Sequence, residues 1–430
     1  MSLFCMQDLQ IVYNPASPNA EVEHEVCYWL RQLLEKECNV PLSVSTEERE
    51  PSKPAILLGA LASLPCAPDE YAIGMPDANT LVANAGSMAA YDDLIEALLN
   101  LARERENPPS EPVRKRTADR SIGTRHGDLR VLYHNMYGYD RKPTINPQRR
   151  FAFEAILYRE YDADILCLQE YDGGPRKKLA PLLEERGYEE VPVDLLGFAK
   201  NCSPILFDRT RVTLIDHGFY PFTYKSPVDE RVCNNHDTKN LTWAVFEQNE
   251  SNKRFVVISV HYYYSPDASS DMTNRIESNL ARMENAKELY DVITRQIRVK
   301  NDGAYKDLPI LLGGDLNCSF ANRELPSIKE AYGGRIALDV MAELGMKHLQ
   351  ESSKVFADDI GAYCGYPTYN EELGYYDHCG DLSNTTFSRS IDHVYTYGHG
   401  LCGMTFDVLD GSFAKKTSDH CPILVDLVLE

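Results

Sequence analysis

The sequence predicts an α/β (α+β) protein: a two-sheet β-sandwich flanked by helices, preceded by a small α/β domain. From residue 123 onwards, strand-like apolar runs outnumber helical patterns, which favours two sheets packed face to face with helices outside. Before residue 105, strand and helix patterns alternate, as is typical of a small α/β domain. A chain of 430 residues is also long enough for two domains.

The composition is that of a globular protein with an acidic surface. Hydrophobic residues make up 43% and charged residues 25% of the chain, and the formal net charge is -21. Such a charge repels polyanions at long range, so tight non-specific binding of nucleic acid would require a local basic patch or bound cations. The charge counts against a nucleic-acid partner without excluding one.

The sequence indicates a protein without a transmembrane segment. No apolar run approaches the roughly 20 residues that span a bilayer, and the start, "MSLFCMQDLQ", lacks the basic and apolar regions of a signal peptide. None of the 12 cysteines forms a C-x-x-C pair, which favours reduced thiols in a core over a zinc site. A cytoplasmic location is therefore favoured; a secreted one requires that a signal peptide was removed.

Residues 1–104 are predicted to form the small α/β domain. Strand-like runs alternate with two helical patterns, the first of which carries Val22, Val26 and Leu30 on one face. The arrangement resembles the small α/β domain that precedes the barrel in hexosaminidases and glucuronidases, a resemblance of pattern without a diagnostic motif. It implies a domain that packs, mediates an interaction or contacts a sugar.

Residues 105–122, "RENPPSEPVRKRTADRSI", are predicted to be a linker. They are polar, contain three prolines and show no apolar periodicity. The second domain is predicted over residues 123–430, with helices chiefly over 146–161, 175–187 and 273–297. About three hundred residues suffice for one large hydrophobic core.

The stretch "LPILLGGDLNCSF", residues 308–320, combines a strand signal with a polar pair. The two glycines break the strand and let another backbone or a ligand come close. Side chains two residues apart in an extended chain point the same way, so Asp315 and Asn317 would stand together at the strand end. The same residues are also typical of an ordinary turn. This stretch alone does not distinguish a functional site from a turn, so the other motifs of the chain have to be considered.

Polar residues of a few types end or open the strands predicted in the second domain. Each one alone is explained by a solvated turn or a satisfied polar group. Together they are mostly Asn, Asp, Glu and His, the ligands and donors that metal-assisted phosphoryl chemistry uses. The set is Asn135, Gln169, Glu170, His261, Asp315, Asn317, Asp392, His393, Asp419 and His420.

In this order the residues resemble the hallmarks of the endonuclease/exonuclease/phosphatase superfamily, which has the deoxyribonuclease I-like fold. The motifs are an Asn at a strand end, "LQE", a strand-end His, "GDLN", "IDHV" and a terminal "SDH". The resemblance covers roughly residues 128–430 and, as an ordered set, is specific for the superfamily but not for a substrate. It implies a catalytic domain over 123–430 whose site lies at one end of the two sheets.

The resemblance implies a hydrolase that cleaves a phosphate ester by in-line attack of water, with Mg²⁺ or Mn²⁺ as cofactor. Cations take up the charge that develops on the phosphate, and Mg²⁺ prefers oxygen ligands. Glu170 is the predicted direct metal ligand, with Asp419 as a second contributor. Asn135 is the predicted neutral neighbour, through its amide oxygen or a water.

The other motif residues are predicted to be catalytic. Asp315 would accept a proton from the attacking water or hold it in line, and Asn317 would donate to a phosphate oxygen. His420 would donate as a cation or act as the base, and residue type does not decide between it and Asp315. Asp392 would orient His420, and His261 would serve the leaving group or a phosphate oxygen.

Two further features stand beside this set. Tyr262–Tyr264 follow His261 directly, so a tyrosine contribution in its place stays open. By strand alternation His393 points away from Asp392, and it is not counted among the catalytic residues.

Three functions remain open. The first is a phosphodiesterase or phosphatase that acts on a small or lipid-linked phosphate ester, which would be a sugar-bearing one if the resemblance of the N-terminal domain holds. The second is a metal-dependent nuclease acting on DNA or RNA, against which the acidic composition counts. The third is a non-catalytic binding protein on the same fold, which should have lost a motif residue, and none is missing.

Overall fold

The structure is a computed structural model, and it describes most of the chain. The described residues are 2–6, 8–40, 42–45, 49–50, 52–138, 149–195, 197, 200–227, 230–264, 272–365, 368–371, 375–378 and 386–430. The chain forms two compact units. The first comprises residues 1–124 with 411–413, and the second comprises residues 125–410 with 414–430.

The first unit is a mixed sheet with two long helices. Its strands are β1 (Leu9–Val12), β2 (Leu42–Ser45), β3 (Ala55–Leu58), β4 (Glu70–Asp77), β5 (Thr80–Ala85) and β6 (Val113–Arg116). Its helices are α1 (Ala20–Cys38) and α2 (Met88–Glu104), with 3₁₀ turns at Leu3–Cys5 and Gly59–Ala62. The strand order is β2-β1-β3-β5-β4-β6, and only β4 runs antiparallel to its neighbours β5 and β6.

The predicted linker was wrong in one respect, because it contains a strand. Within residues 105–122, β6 pairs antiparallel with β4 and forms an edge of the first sheet. All four residues of Val113–Arg116 are exposed, so the strand has no buried face and therefore no apolar alternation in its sequence. Main-chain hydrogen bonds to β4, which leave no side-chain pattern, hold it in place.

The elements after residue 124 build the larger unit, except that residues 411–413 belong to the first unit. The strands are β7 (Leu129–Asn135), β8 (Ile165–Gln169), β9 (Tyr188–Glu190), β10 (Ile205–Asp208), β11 (Val212–Pro221), β12 (Asn240–Gln248), β13 (Arg254–His261), β14 (Ile310–Asp315), β15 (Lys347–His348), β16 (Phe356–Ala357), β17 (Thr368–Asn370), β18 (Tyr375–His378), β19 (Asp392–Tyr397), β20 (Leu401–Val408) and β21 (Ile423–Leu429). The helices are α3 (Arg150–Glu160), α4 (Gly173–Glu185), α5 (Met272–Val292), α6 (Lys300–Gly303), α7 (Pro326–Tyr332), α8 (Ala337–Glu343), α9 (Leu349–Ser352) and α10 (Ser412–Lys415). A π-helical turn, Ile293–Ile297, follows α5, and 3₁₀ turns lie at Phe320–Glu324 and Phe387–Arg389.

These strands form two large sheets. One has seven strands in the order β16-β20-β21-β7-β8-β10-β9, and the other has six in the order β11-β12-β13-β14-β19-β15. β17 and β18 form a separate two-stranded pair. The sheets pack face to face, which confirms the predicted two-sheet sandwich.

β13 shows how the sequence builds this sandwich. Its residues alternate between two buried faces, so the strand reads as a nearly continuous apolar run. Phe255 and Val257 pack with Val131 of the other sheet in the core between the sheets. Val256 faces the opposite way and shares a second buried cluster with Leu289 of α5, so helices cover the outer face. Within the described part of the chain, no helix has the length and apolar character needed to cross a membrane.

Gly313 and Gly314 let β14 lie close against both of its neighbours. A Cβ atom on Gly313 would lie 2.6 Å from the main-chain oxygen of His393 in β19, and one on Gly314 would lie 2.1 Å from that of Val260 in β13. Gly314 also has a φ of 141°, a conformation that L side chains rarely adopt. The glycine pair therefore fixes the strand end that carries Asp315.

Replacing Gly314 by Ala should lower the free energy of unfolding by about 3 kcal/mol or more, because backbone strain and a clash with Val260 add together. Urea unfolding of the variant and the wild type measures the difference. Gly333→Ala is the matched control, since Gly333 has a φ of 62° but nothing within 4 Å of the added atom. It should cost only about 1 kcal/mol. Equal losses in the two variants would mean that the close strand approach is not what Gly314 provides.

Candidate active site

The polar strand ends meet at one end of the sandwich. β13 and β14 run parallel with His261 paired to Asp315, and β19 runs antiparallel so that Asp392 also pairs with Asp315. In the other sheet, β7 and β8 run parallel, which places Asn135 beside the residue that precedes Glu170. The topology thus gathers side chains that are far apart in the sequence.

Asp315 lies at the centre of this cluster. Its Oδ2 accepts a hydrogen bond from Nδ2 of Asn135 at 3.0 Å and lies 3.3 Å from Nε2 of His261. Its Oδ1 accepts from the backbone N–H of Asn317 at 2.8 Å. Burial alone would raise the pKa of Asp315, but the hydrogen bond from His261 and nearby positive charges outweigh burial and lower the pKa. Asp315 is therefore held as a carboxylate that ties the two sheets together.

Asn317 lies beside Asp315 through a turn rather than an extended chain. Its φ is 48°, a left-handed conformation, so the strand ends at Asp315 and the chain reverses. Nδ2 of Asn317 donates to the main-chain oxygen of Tyr262 at 3.1 Å. The turn interpretation of this stretch is therefore confirmed in its geometry and the extended geometry was wrong, whereas the site interpretation stays a prediction. An amide group carries two hydrogens, so one remains for a ligand.

His420 is held by Asp392. Nδ1 of His420 lies 2.8 Å from Oδ2 of Asp392, and both side chains are buried. Burial would lower the pKa of His420, but the carboxylates of Asp392 and Asp419 outweigh burial and raise the pKa well above its usual value. The result is an imidazolium whose Nε2 remains available to donate.

Asp419 and Glu170 form the acidic side of the cluster. Burial raises the pKa of Asp419 to about 7, with the charge of His420 opposing the shift and the Glu170 carboxylate adding to it. Oδ1 of Asp419 lies 3.9 Å from Nε2 of His420. Glu170 has a φ of 58°, and its Oε2 accepts from the backbone N–H of Gly138 at 3.0 Å. Two neighbouring carboxylates in a partly buried site are the arrangement that a cation would compensate.

Residues 132–420 match the model of the endonuclease/exonuclease/phosphatase family, and the match spans more than half of the chain. The protein belongs to the endonuclease/exonuclease/phosphatase family. The family that the ordered motifs predicted is thus confirmed, whereas the resemblance of the N-terminal domain stays a prediction. Family members are endonucleases, exonucleases and phosphatases, all of which hydrolyse phosphate ester bonds.

Several solved structures resemble the chain at low sequence identity. A family protein from Bacteroides thetaiotaomicron is 17% identical, with 70% of this chain and 98% of that chain covered and a TM-score of 0.47. A mannosyl-6-phosphatase from Bacteroides thetaiotaomicron VPI-5482 is 17% identical, with coverages of 70% and 100% and a TM-score of 0.49. The human Nocturnin catalytic domain is 15% identical, with coverages of 71% and 97% and a TM-score of 0.39. No curated protein sequence matches the chain.

In this family member, a second layer of side chains supports the segment before β21 that carries His420. Nε2 of His134 lies 2.9 Å from the main-chain oxygen of His420, and Nδ1 lies 2.6 Å from the hydroxyl of Tyr158. Burial lowers the pKa of His134 to about 3, so its ring is neutral. Oγ of Ser418 donates to the main-chain oxygen of Asn135 at 2.6 Å. The "SDH" motif is thereby tied to β7.

Lys239 is a residue of the described site that the sequence pattern does not reveal. Its side chain is buried, and its Nζ contacts Nε2 of His261. Burial lowers the pKa of Lys239, against the opposing charges of Glu170 and Asp315. Lysine is almost never fully buried unless it is paired. The sequence shows only a single lysine just before an apolar strand, a pattern that normally marks a surface residue.

His393 lies away from the cluster, as strand alternation predicts. Its Nε2 lies 2.9 Å from the main-chain oxygen of Cys318, and its Nδ1 lies 2.8 Å from Nε2 of His348. The structure therefore brings together Asn135, Glu170, His261, Asp315, Asn317, Asp392, Asp419 and His420 and leaves His393 out. The chemical roles assigned to these residues stay predictions.

Replacing Lys239 by Met should raise the pKa of His261. Burial lowers that pKa, and the positive charge of Lys239 lowers it further, so removing the charge relieves part of the shift. An NMR titration of the His261 ring should show a higher midpoint in the variant. Lys287→Met is the control, because the exposed Lys287 pairs with Glu284 instead. An unchanged midpoint in Lys239→Met would contradict the Lys239–His261 contact.

Asp392→Asn and His420→Ala should each lower turnover roughly a hundredfold or more, the scale of one lost transition-state donor. If Asp392 acts through His420, the double variant should be little slower than His420→Ala, because the imidazole that Asp392 orients is already absent. Turnover of the two single variants and the double variant on one phosphate ester measures this. Losses that multiply independently would show that Asp392 has another partner.

Proposed function

We propose that this protein is a Mg²⁺-dependent hydrolase that cleaves a phosphate ester by in-line attack of water. The observation that carries the proposal is the convergence of side chains from both sheets on the ionised Asp315, beside the acidic pair Glu170 and Asp419 and the charged His420. Family membership supports hydrolysis of a phosphate ester bond. The metal, the residue roles and the substrate are what we propose.

Glu170, Asp419 and Asn135 are the residues proposed to hold the metal. Within the described residues, no group of three or more His, Cys, Asp or Glu side chains is arranged to hold a metal ion. Mg²⁺ commonly takes one or two carboxylates and leaves the remaining positions to waters and a substrate phosphate. Two carboxylates and an amide oxygen fit that donor set. When bound, the ion would supply positive charge to the phosphate oxygens.

Asp315 is proposed to hold the attacking water. A carboxylate has about four lone-pair sites, and those of Asp315 serve Asn135, the backbone of Asn317 and the nearby His261. One site is left for a water. Because its pKa is lowered, Asp315 stays ionised and is suited to orienting that water.

His420 is proposed to donate to the phosphate. An imidazolium has no lone pair with which to take a proton from water, and the raised pKa of His420 favours that form. Of the two candidates for the water-activating group, the charged form of His420 therefore favours Asp315. The second amide hydrogen of Asn317 and the Lys239–His261 pair would add donors toward the phosphate or its leaving group.

The proposed substrate is a small or lipid-linked phosphate ester. The net charge of -21 opposes a long polyanion, which makes a nuclease the less favoured alternative. A non-catalytic binding protein is less favoured still, because every motif residue is present in the described cluster. A sugar contact through the first unit and the cellular location stay predictions.

Removing divalent metal with a chelator should abolish hydrolysis of a phosphate ester, and added Mg²⁺ or Mn²⁺ should restore it. Glu170→Gln should raise the Mg²⁺ concentration needed for half-maximal activity, because it removes a charged ligand. Glu190→Gln is the matched control, since Glu190 pairs with Arg176 at 2.7 Å, and it should leave the Mg²⁺ requirement unchanged. Full activity after exhaustive metal removal would overturn the proposal.

A further inference from the structure

A pocket of about 380 Å³ opens in the loop that leads into β12. This volume lies within the range of small-molecule sites. Its walls include Arg231, Val232, Asn235, His236, Asp237 and Tyr263. None of these residues belongs to the cluster around Asp315, so the proposed reaction does not account for the pocket.

The pocket adjoins the candidate active site on the side of Lys239 and His261. Asp237 precedes Lys239 by two residues, and Tyr263 follows His261 by two residues. Two residues of extended chain span at most roughly 7 Å. The pocket wall therefore lies within the length of a small phosphate ester from Lys239 and His261.

The pocket wall is a strained turn. Asn235, His236 and Asp237 have φ values of 49°, 58° and 66°, so three consecutive residues other than glycine are left-handed. Each such residue costs conformational energy, and strain of this kind concentrates at ligand clamps and active sites.

Two asparagines hold the turn in this conformation. Oδ1 of Asn234 accepts from the backbone N–H of Asp237 at 3.1 Å, and its Nδ2 donates to the main-chain oxygen of Phe222 at 3.2 Å. Asn235 donates to the main-chain oxygen of Tyr264 at 2.8 Å and accepts from its N–H at 2.9 Å. The pocket wall is therefore organised before any ligand binds.

The turn exposes polar groups that form no hydrogen bonds with the described residues. His236 is exposed, and its ring makes no hydrogen bond with any described residue. Oδ1 of Asp237 accepts from Nδ2 of Asn234 at 3.0 Å, whereas Oδ2 has no hydrogen-bond partner among the described residues. The pocket thus offers an imidazole and a carboxylate oxygen to a ligand.

The chemistry of the lining selects the kind of ligand. Arg231, which lies 4.0 Å from Glu277 across an ion pair, and His236 supply donors, while Asp237 supplies an acceptor. A second phosphate would offer acceptors only and would be repelled by Asp237, whereas a hydroxyl both donates and accepts. The ring of Tyr263 provides an apolar surface for C–H groups.

We propose that this pocket binds a polyhydroxylated group, a sugar or another polyol, carried by the phosphate ester that the protein hydrolyses. The proposal rests on the proposed function, because that function places the phosphate beside Lys239 and His261. It adds the substrate class, phosphorylated polyols, and assigns specificity to His236 and Asp237.

The test compares esters with and without hydroxyl groups. Glucose 6-phosphate is paired with p-nitrophenyl phosphate as a monoester, and glycerophosphoinositol is paired with bis(p-nitrophenyl) phosphate as a diester.

Asp237→Asn and His236→Asn are the variants, because asparagine tolerates the left-handed conformation. Each should lower kcat/KM on the hydroxylated ester roughly tenfold to a hundredfold, chiefly through KM. Rates on the p-nitrophenyl esters should stay within about twofold of the wild type. Arg209→Ala, at an exposed residue, is the control and should change neither.

Three results would overturn the inference. An equal loss of kcat/KM on both kinds of ester would show that the turn supports the catalytic cluster rather than a polyol site. No loss of kcat/KM on any ester would show that the pocket does not bind the substrate. A larger loss on a deoxynucleotide ester, assayed in the same series, than on glucose 6-phosphate would indicate a pocket for a base.

Calorimetric titration of glucose 6-phosphate separates this inference from the proposed function. If the wild type hydrolyses none of the esters with Mg²⁺ present, the proposed function fails. Tighter binding of glucose 6-phosphate to the wild type than to Asp237→Asn would still support the pocket, and equal or absent binding would reject it.

Discussion

The buried carboxylate of Asp315 is the constraint on which the candidate site depends. A charge taken out of water has to be met by hydrogen bonds and opposite charges, and no single strand can supply them. Asn135 therefore comes from one sheet and His261 from the other, and the hydrogen bond from Asn135 joins the two sheets at the end where they form the site. The packing of the two sheets and the hydrogen bonding of the site therefore depend on each other. Displacing either sheet would leave the Asp315 carboxylate without one of its partners.

The balance of charge in the cluster explains why the acidic composition of the chain does not conflict with a phosphate substrate. His420 stays charged because Asp392 and Asp419 face it, and Lys239 is buried close to Glu170 and Asp315. Cationic groups are thus supplied locally, inside a chain that is negative overall. A small anion meets these groups at short range, whereas a long polyanion would meet the rest of the surface.

The sequence predicts what side-chain patterns record. β13 alternates between two buried faces, so its apolar run predicts a strand between a sheet core and a helix layer, and the polar strand ends predict a site at the sheet edge. Backbone and long-range features leave no such pattern. The left-handed φ of Asn317 arises from its turn, and the burial of Lys239 depends on His261, which lies on another strand. Neither is visible before the strands are placed in space.

The exposed strand β6 has a consequence for association between molecules. An edge strand presents unpaired main-chain groups on which a strand of another molecule can form, and this is a common route to aggregation. β6 reads Val-Arg-Lys-Arg, and all of its side chains face solvent. A second copy pairing along the same edge would bring cations against cations, which destabilises cross-strand pairs. The basic residues of β6 give its sequence no apolar alternation. The same residues also oppose self-association along this edge of the sheet.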